Sequence, residues 1–108
     1  MNFPSSGRLA GIDYGAVRVG IAVTDAQRIV ASPFQVYRRV NLSTDRQFFC
    51  ELAEQEGLVG LVVGLPVHAS GAESQKSTES RGYGRWLAET TGLPVRFFDE
   101  RYSSQNAD

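Results

Sequence analysis

Apolar and polar residues alternate with a period of two in the N-terminal third of the chain. Between 17 and 23 the odd positions are β-branched and apolar, whereas the even positions are Arg18 and small residues. This alternation predicts a strand with one apolar face and one face of small residues. Apolar runs at 8–14 and 29–37 predict strands on either side of it, and Pro33 marks the later one as an edge strand. Because only short turn-like intervals separate these runs, we expect an antiparallel meander.

From Thr44 onward the pattern is typical of helices that alternate with strands. Thr44 and Gln47 predict a capping box at the start of an amphipathic helix, which Gly57 ends. Residues 58–65 are almost continuously apolar. Such a run predicts a strand that is buried on both faces and lies near the centre of a partly parallel sheet.

A second helix is predicted after a polar loop. Ser70 and Glu73 indicate its start, and Gly92 indicates its end. Tyr83 and Trp86 lie at helical spacing along its apolar stripe, so we assign them to the core rather than to a surface on which bases stack.

The remaining residues complete the predicted order of elements. Residues 94–98 predict a fifth strand, and Ser103 or Ser104 marks the start of a third helix. The predicted fold class is therefore α/β, with a five-stranded mixed sheet in which antiparallel strands come first and parallel strands alternate with helices.

Length and composition exclude several classes of protein. The chain has 108 residues and a formal net charge of −1, which fits one ordinary domain without a global field that would attract nucleic acid. No apolar run is long enough to span a membrane, and the first residues do not form a secretory signal. Cys50 is the single cysteine, so no disulfide framework forms and we expect a cytoplasmic location.

Motifs at the predicted strand ends carry a family resemblance. In chain order they are Gly11-Ile12-Asp13-Tyr14-Gly15 with Arg18 and Gly20, Ala22-Val23-Thr24-Asp25, Gly64-Leu65-Pro66, and Asp99-Glu100-Arg101 with Tyr102-Ser103-Ser104. Together they resemble the YqgF-type family, bacterial nucleases described both as Holliday-junction-resolvase-like and as processing the 5′ end of precursor 16S ribosomal RNA. The resemblance runs from about Arg8 to the end of the chain. It implies a single ribonuclease H-like domain over 1–108 that acts on precursor rRNA or branched DNA.

Hydrolysis of a phosphodiester needs an activated water and neutralisation of developing charge, which paired Mg²⁺ or Mn²⁺ ions held by oxygen ligands supply. Asp13 closes the first predicted strand and Glu100 follows the fifth, and the ligand crevice of such sheets lies beyond the carboxyl ends of the strands. The resemblance implies that the fourth strand lies between them. It ends in Gly64, whose missing side chain leaves room for the metal or the scissile phosphate. We predict Asp13 and Glu100 as catalytic residues and metal ligands.

The same motifs predict the residues that contact the substrate, which are Arg18, Gly64, Arg101 and Ser103. Structural alternatives stand beside these assignments. Asp13 could instead cap the turn that follows it, and Gly64 could simply permit a bend before Pro66. Glu100 could form an exposed ion pair with an arginine, which would add little stability.

The chain departs from the family at its C-terminal end. Related chains typically continue through a further helix that carries another aspartate, so we expect fewer metal ligands here. We also expect exposed apolar surface that favours self-association. The alternative functions are a catalytically incomplete nucleic-acid-binding remnant and a Holliday-junction DNA resolvase. A further interpretation takes 11–15 as the phosphate loop of an actin-like ATPase, but such proteins hold nucleotide between two domains of this kind.

Overall fold

The fold is built around one mixed sheet. The structure, a computed structural model, describes residues 3–28, 30–66 and 75–99. Its elements are β1 (Arg8–Asp13), β2 (Arg18–Thr24), β3 (Ala31–Arg38), α1 (Leu42–Gln55), β4 (Leu58–Leu65), α2 (Gln75–Thr91) and β5 (Val95–Asp99). The strand order in the five-stranded sheet is β3-β2-β1-β4-β5. Strands β1, β2 and β3 pair antiparallel, whereas β4 is parallel to both β1 and β5, which confirms the predicted fold class.

The antiparallel meander follows the period-two pattern, with one correction. Val19, Ile21 and Val23 are buried, as predicted for the apolar face of β2. Val17 lies before the strand and is 51% exposed, so its inclusion in that face was wrong. The reason is that it belongs to the turn between β1 and β2, one residue before β2 begins.

Strand β3 forms an edge of the sheet, as Pro33 indicated. Its pairing with β2 is irregular, because Ala22 lies opposite Pro33 while its neighbour Ile21 lies opposite Gln35. Phe34 is therefore an extra residue in β3, which makes a β-bulge. Bulges of this kind are frequent at sheet edges, where an unpaired residue breaks no internal ladder.

Helix α1 begins earlier than the sequence pattern predicted. Asn41 is the N-cap, in extended conformation, and its side-chain oxygen accepts a hydrogen bond from the Thr44 amide at 2.8 Å. The predicted Thr44–Gln47 capping box is wrong, because Thr44 is already inside the first turn and Gln47 donates to Glu51 instead. Gly57 follows the helix with φ of +60°, which confirms it as the stop because a left-handed residue commonly ends a helix.

Strand β4 is buried on one face rather than on both. Leu61, Val63 and Leu65 are buried against the helices, whereas Val62 and Gly64 are only partly buried on the opposite face. Full burial was predicted because the apolar run of the sequence does not reveal whether a second layer covers the sheet. The predicted start of the second helix at 70–73 lies outside the described residues.

Both helices pack on the same face of the sheet and form the hydrophobic core with it. The buried residues of this core cluster are Ala10, Ile12, Val19, Ile21, Val23, Phe49, Leu52, Leu58, Leu61, Val63, Tyr83 and Leu87. Trp86 packs against this cluster, so the assignment of Tyr83 and Trp86 to the core is confirmed. We call the opposite side of the sheet the open face, because no helix among the described residues covers it. In the described ranges neither helix combines the length and hydropathy needed to cross a lipid bilayer.

Candidate active site

Asp13 is the last residue of β1 and lies at the carboxyl end of that strand. It is opposite Gly20 in β2, and its side chain is exposed on the open face. A Cβ atom added to Gly20 would lie 3.4 Å from Asp13 Cβ and 4.0 Å from Oδ2. A larger side chain at position 20 would therefore crowd the carboxylate, whereas glycine leaves the space beside it open.

The open face carries a shallow trough that reaches Asp13. Its volume is about 550 Å³, which is within the range of small-ligand sites. Small residues of the inner strands form its floor, and partly exposed apolar side chains form its sides. The floor consists of Gly11, Gly20, Ala22 and Gly64, and the sides include Phe34, Val36, Val62 and Phe98. The carboxylate thus lies beside an apolar concavity in which the backbone is accessible.

Gly64 lies in β4, between β1, which carries Asp13, and β5, which Glu100 follows in the sequence. The preceding residue, Val63, pairs with Ile12 of β1, and Gly64 itself pairs with Phe98 of β5. This register confirms that β4 separates β1 from β5. Gly64 lines the trough, and its role in making room for metal or phosphate stays a prediction.

Part of the predicted site falls outside the described residues. These positions are Glu100, Arg101 and Ser103. The convergence of Glu100 with Asp13 therefore stays a prediction. Within the described ranges, no three histidine, cysteine, aspartate or glutamate side chains come together as a metal site would require.

Arg18 begins β2 on the same face as Asp13. Its position follows from the alternation along the strand, because Gly20, two residues later, is directly opposite Asp13. The side chain is exposed. Across the ladder it is paired with Arg38, the last residue of β3, which the sequence analysis did not single out.

The turn that follows Asp13 is fastened by Arg39. Its Nη1 donates to the carbonyl oxygens of Gly15 at 3.2 Å and Ala16 at 3.0 Å, and to the hydroxyl of Tyr14 at 3.3 Å. The guanidinium lies 5.3 Å from the ring centroid of Tyr14 and 5.2 Å from that of Tyr83. Because these contacts hold the residues next to Asp13, they limit how far the end of β1 can move.

No sequence signal pointed to this function of Arg39, since its partners are distant in the chain. Gly15 belongs to the same turn, and an added Cβ would collide with the carbonyl oxygen of Arg18. Glycine is thus required at position 15 because there is no space for a side chain there.

A buried carboxylate lies on the helix side of the sheet, near the end of β3. Asp45 of α1 is only 3% exposed. Its Oδ1 accepts hydrogen bonds from the Tyr37 hydroxyl at 2.7 Å and from the Val40 amide at 3.0 Å. Burial, followed by the hydrogen bond from its hydroxyl to Asp45, raises the pKa of Tyr37 to about 12. Burial also raises the pKa of Tyr83, so both phenols stay neutral at physiological pH.

Comparison with known proteins identifies the family. The sequence model of RuvX, described as Holliday junction resolvase, matches residues 7–108. The chain belongs to this family. The resemblance drawn from the strand-end motifs is thereby confirmed, because the match extends from the strand that carries Asp13 to the last residue.

Curated relatives of this RuvX chain share a name that refers to RNA. A protein of Rhodopirellula baltica named "Putative pre-16S rRNA nuclease" is 50% identical over 98% of this chain and 61% of its own length. A protein of Paracoccus denitrificans with the same name is 40% identical over 97% of this chain and 66% of its own length. The chain therefore spans somewhat less than two thirds of the length of these relatives.

Solved structures share the fold of this RuvX chain. The structure titled "T. thermophilus RuvC in complex with Holliday junction substrate" has a TM-score of 0.64 and 15% identity, and the match covers 92% of this chain and 68% of that one. A second Thermus thermophilus RuvC structure has a TM-score of 0.59 and 16% identity over 85% of this chain and 63% of that one. These likenesses confirm the ribonuclease H-like fold.

Proposed function

We propose that this chain belongs to a divalent-metal-dependent nuclease that hydrolyses phosphodiester bonds during 5′-end processing of precursor 16S ribosomal RNA. The observation that carries the proposal is the exposed carboxylate of Asp13. It lies at the carboxyl end of an inner strand, beside an open trough, with no ion pair or hydrogen bond to another described residue. The name shared by the curated relatives supports the RNA substrate and the reaction.

The residues predicted to hold the metal are carboxylates, which are suitable ligands for a hard cation. Mg²⁺ and Mn²⁺ prefer carboxylate oxygens and keep several waters, so a few acidic side chains suffice to hold them. Asp13 would be one ligand and Glu100 the other. When bound, the ions supply activation of the attacking water and neutralise charge on the phosphate.

The other residues bind and orient the substrate strand. The guanidinium of Arg18 presents planar, paired donors that match a phosphate. Gly64, without a side chain, permits close approach of the scissile group to the sheet. Arg101 and Ser103, which follow β5 in the sequence, would contribute further contacts to the substrate. Arg39 acts indirectly, because it holds the turn behind Asp13 in place.

The proposed cellular location of the protein follows from its proposed substrate. Precursor ribosomal RNA of bacteria is a cytoplasmic molecule, so the proposed location is the cytoplasm. The exposed apolar side chains of the open face, Phe34, Val36 and Phe98, also support self-association, because contiguous exposed apolar patches mark contact surfaces.

Two other functions have an observation in their favour. The exposed guanidinium of Arg18 favours a nucleic-acid-binding remnant without catalysis, because it can bind a phosphate without a metal ion. The description of the matching family, Holliday junction resolvase, favours branched DNA as the substrate. Both are outcomes of the test that follows.

The test compares Asp13→Asn with Glu89→Gln, which removes an exposed carboxylate from α2. Asp13→Asn should weaken Mn²⁺ binding, measured by titration calorimetry, by at least about 100-fold, because even outer-shell partners of a metal contribute 10- to 100-fold. Cleavage of labelled precursor 16S rRNA should fall at least as much, and Glu89→Gln should retain both properties.

The other outcomes are equally informative. Retention of RNA without cleavage by the unsubstituted chain would favour the binding remnant. Cleavage of a four-way DNA junction but not of precursor RNA would favour the resolvase. Equal Mn²⁺ affinity in the unsubstituted and Asp13→Asn chains would remove Asp13 from the metal site.

A further inference from the structure

Two arginines meet at one corner of the open face. In the antiparallel ladder Arg18 of β2 is directly opposite Arg38 of β3. Residues that face each other across such a ladder project to the same side of the sheet. The neighbouring pair on that side, Gly20 and Val36, lines the trough. Arg18 and Arg38 therefore emerge together at the end of the trough where Asp13 lies.

The hydrogen bonds around this pair bring its side chains close. The amide of Arg39 donates to the carbonyl of Val17 at 2.9 Å. This backbone hydrogen bond therefore joins the residues next to the arginine pair, and not the two arginines themselves. Arg18 and Arg38 thus form a non-hydrogen-bonded pair, in which the Cα atoms are about 4.5 Å apart and the side chains are closest. Like charges directly opposite each other destabilise a sheet.

No hydrogen bond or ion pair to a residue in the described ranges compensates this repulsion. Both side chains are exposed, and neither forms a hydrogen bond or ion pair with a described residue. Other arginines behave differently, since Arg8 pairs with Glu56 at 3.0 Å and Arg28 donates to the carbonyl of Gly7 at 2.8 Å. Those arginines hold the fold together, whereas the Arg18–Arg38 pair weakens it.

We propose that Arg38 and Arg18 together form a binding site for a phosphodiester group of a nucleic acid strand. This inference rests on the proposed function in one respect, namely that the strand is the substrate whose cleavage involves Asp13. From strand geometry, the Cα of Arg18 is about 9 Å from that of Asp13, by one step across the ladder and two along β2. The site therefore holds a phosphate near the carboxylate of Asp13.

The chemistry suits a phosphate rather than a carboxylate side chain or a base. Each guanidinium presents a planar fork of donors that binds two oxygens of one phosphate, and two forks side by side neutralise its charge. Contacts of this type position a strand without reading its sequence. Arg38 would thus fix the path of the strand across β2 and β3 toward the trough.

The experiment measures binding in EDTA, where cleavage does not occur. A fluorescein-labelled single-stranded RNA and a labelled four-way DNA junction are titrated at several salt concentrations with the unsubstituted chain, Arg38→Gln and Arg85→Gln. Arg85 is the matched control, because it is an exposed arginine on α2. The two probes distinguish RNA from branched DNA as the source of the phosphate.

Arg38→Gln should weaken binding about fivefold to eightfold at 0.1 M salt, which is the effect of losing one phosphate contact. The slope of log K against log salt concentration should become shallower by about 1. Arg85→Gln should leave the slope unchanged. A second measurement separates this site from a structural role, because Arg38→Gln relieves the like-charge repulsion and should raise Tm by about 1–4 °C.

An unchanged slope in Arg38→Gln, or an equal loss in Arg85→Gln, would overturn the phosphate site, as would a lowered Tm that accounts for the weaker binding. Absence of binding by the unsubstituted chain would overturn it as well. A different result would overturn the proposed function alone. If the chain binds through Arg38 in EDTA but cleaves neither substrate with Mn²⁺, the phosphate site stands and the chain is not a nuclease.

Discussion

The same strands make both faces of the sheet, but the two faces differ in burial, in side-chain size and in charge. Along β1, Ala10 and Ile12 are buried beneath the helices, while Gly11 and Asp13 lie on the open face. The helix face is filled by large apolar and aromatic side chains. The open face carries small residues, exposed apolar side chains and the charged groups of the candidate site. Alternate positions of one strand therefore serve stability and chemistry separately, so substitutions on the two faces should have separable effects.

The largest expected effect on stability comes from removing the central aromatic ring of the helix face. Phe49 is 1% exposed and contacts the rings of Tyr37, Phe48, Tyr83 and Trp86. Phe49→Ala should lower the free energy of unfolding by about 3–5 kcal/mol, measured by urea denaturation, because a large cavity remains.

The matched control removes a phenylalanine from the open face. Phe34 is 44% exposed, so Phe34→Ala should cost less than about 1 kcal/mol. Equal losses for the two variants would mean that the open face contributes to stability as the helix face does.

A smaller difference is expected between two glycines. A Cβ added to Gly84 of α2 would lie 2.6 Å from the ring of Phe97, whereas one added to Gly11 meets nothing within 4 Å. Gly84→Ala should lower the free energy of unfolding by about 1–2 kcal/mol, because forced repacking outweighs the roughly 1 kcal/mol gain in helix propensity. Gly11→Ala should be neutral or stabilise by up to about 1 kcal/mol. Thermal denaturation of both variants tests the contrast, and a stabilised Gly84→Ala would show that α2 packs less closely on β5.

The smallest effect concerns pH and again belongs to the helix face. The pKa of Tyr37 is raised from 10.0 to about 12 by burial and by the hydrogen bond to Asp45. The neutral phenol is therefore favoured by folding, so its contribution is complete below pH 10 and is lost as pH rises from 10 through 12. Tyr37→Phe should flatten the fall of the urea midpoint between pH 10 and 12. A fall of equal steepness in both proteins would mean that another group controls alkaline unfolding.

The sequence predicted those features that depend on local pattern. The alternation in β2 and the proline in β3 were sufficient for the meander and its edge strand. The motifs at the strand ends were sufficient for the family, and the resemblance to that family implied the place of β4 in the sheet. The N-cap was assigned wrongly because Asn41 and Thr44 are both good capping residues, and the backbone conformation at Asn41 decides between them. The apolar run of β4 likewise predicts a buried strand without indicating how many faces are covered.

The candidate site was predictable only in part. Asp13 and Arg18 follow from their motif positions, and the structure places both on the open face. Arg38 and Arg39 could not be found, because their importance depends on the register between β2 and β3 and on contacts with the turn behind Asp13. The role of Glu100 remains a prediction.

The extra residue in the edge strand determines which side chains of β3 belong to which face. If Phe34 were paired regularly opposite Ile21, each later residue would move on by one position, and Tyr37 would lie opposite Arg18. The ring that stacks on Phe48 at 3.9 Å would then leave the core, and Arg38 would lose its place beside Arg18. The one extra residue in β3 thus moves every later side chain of the strand to the opposite face of the sheet, relative to regular pairing. Within eight consecutive residues, β3 can therefore both fill the core with Tyr37 and place Arg38 beside Arg18.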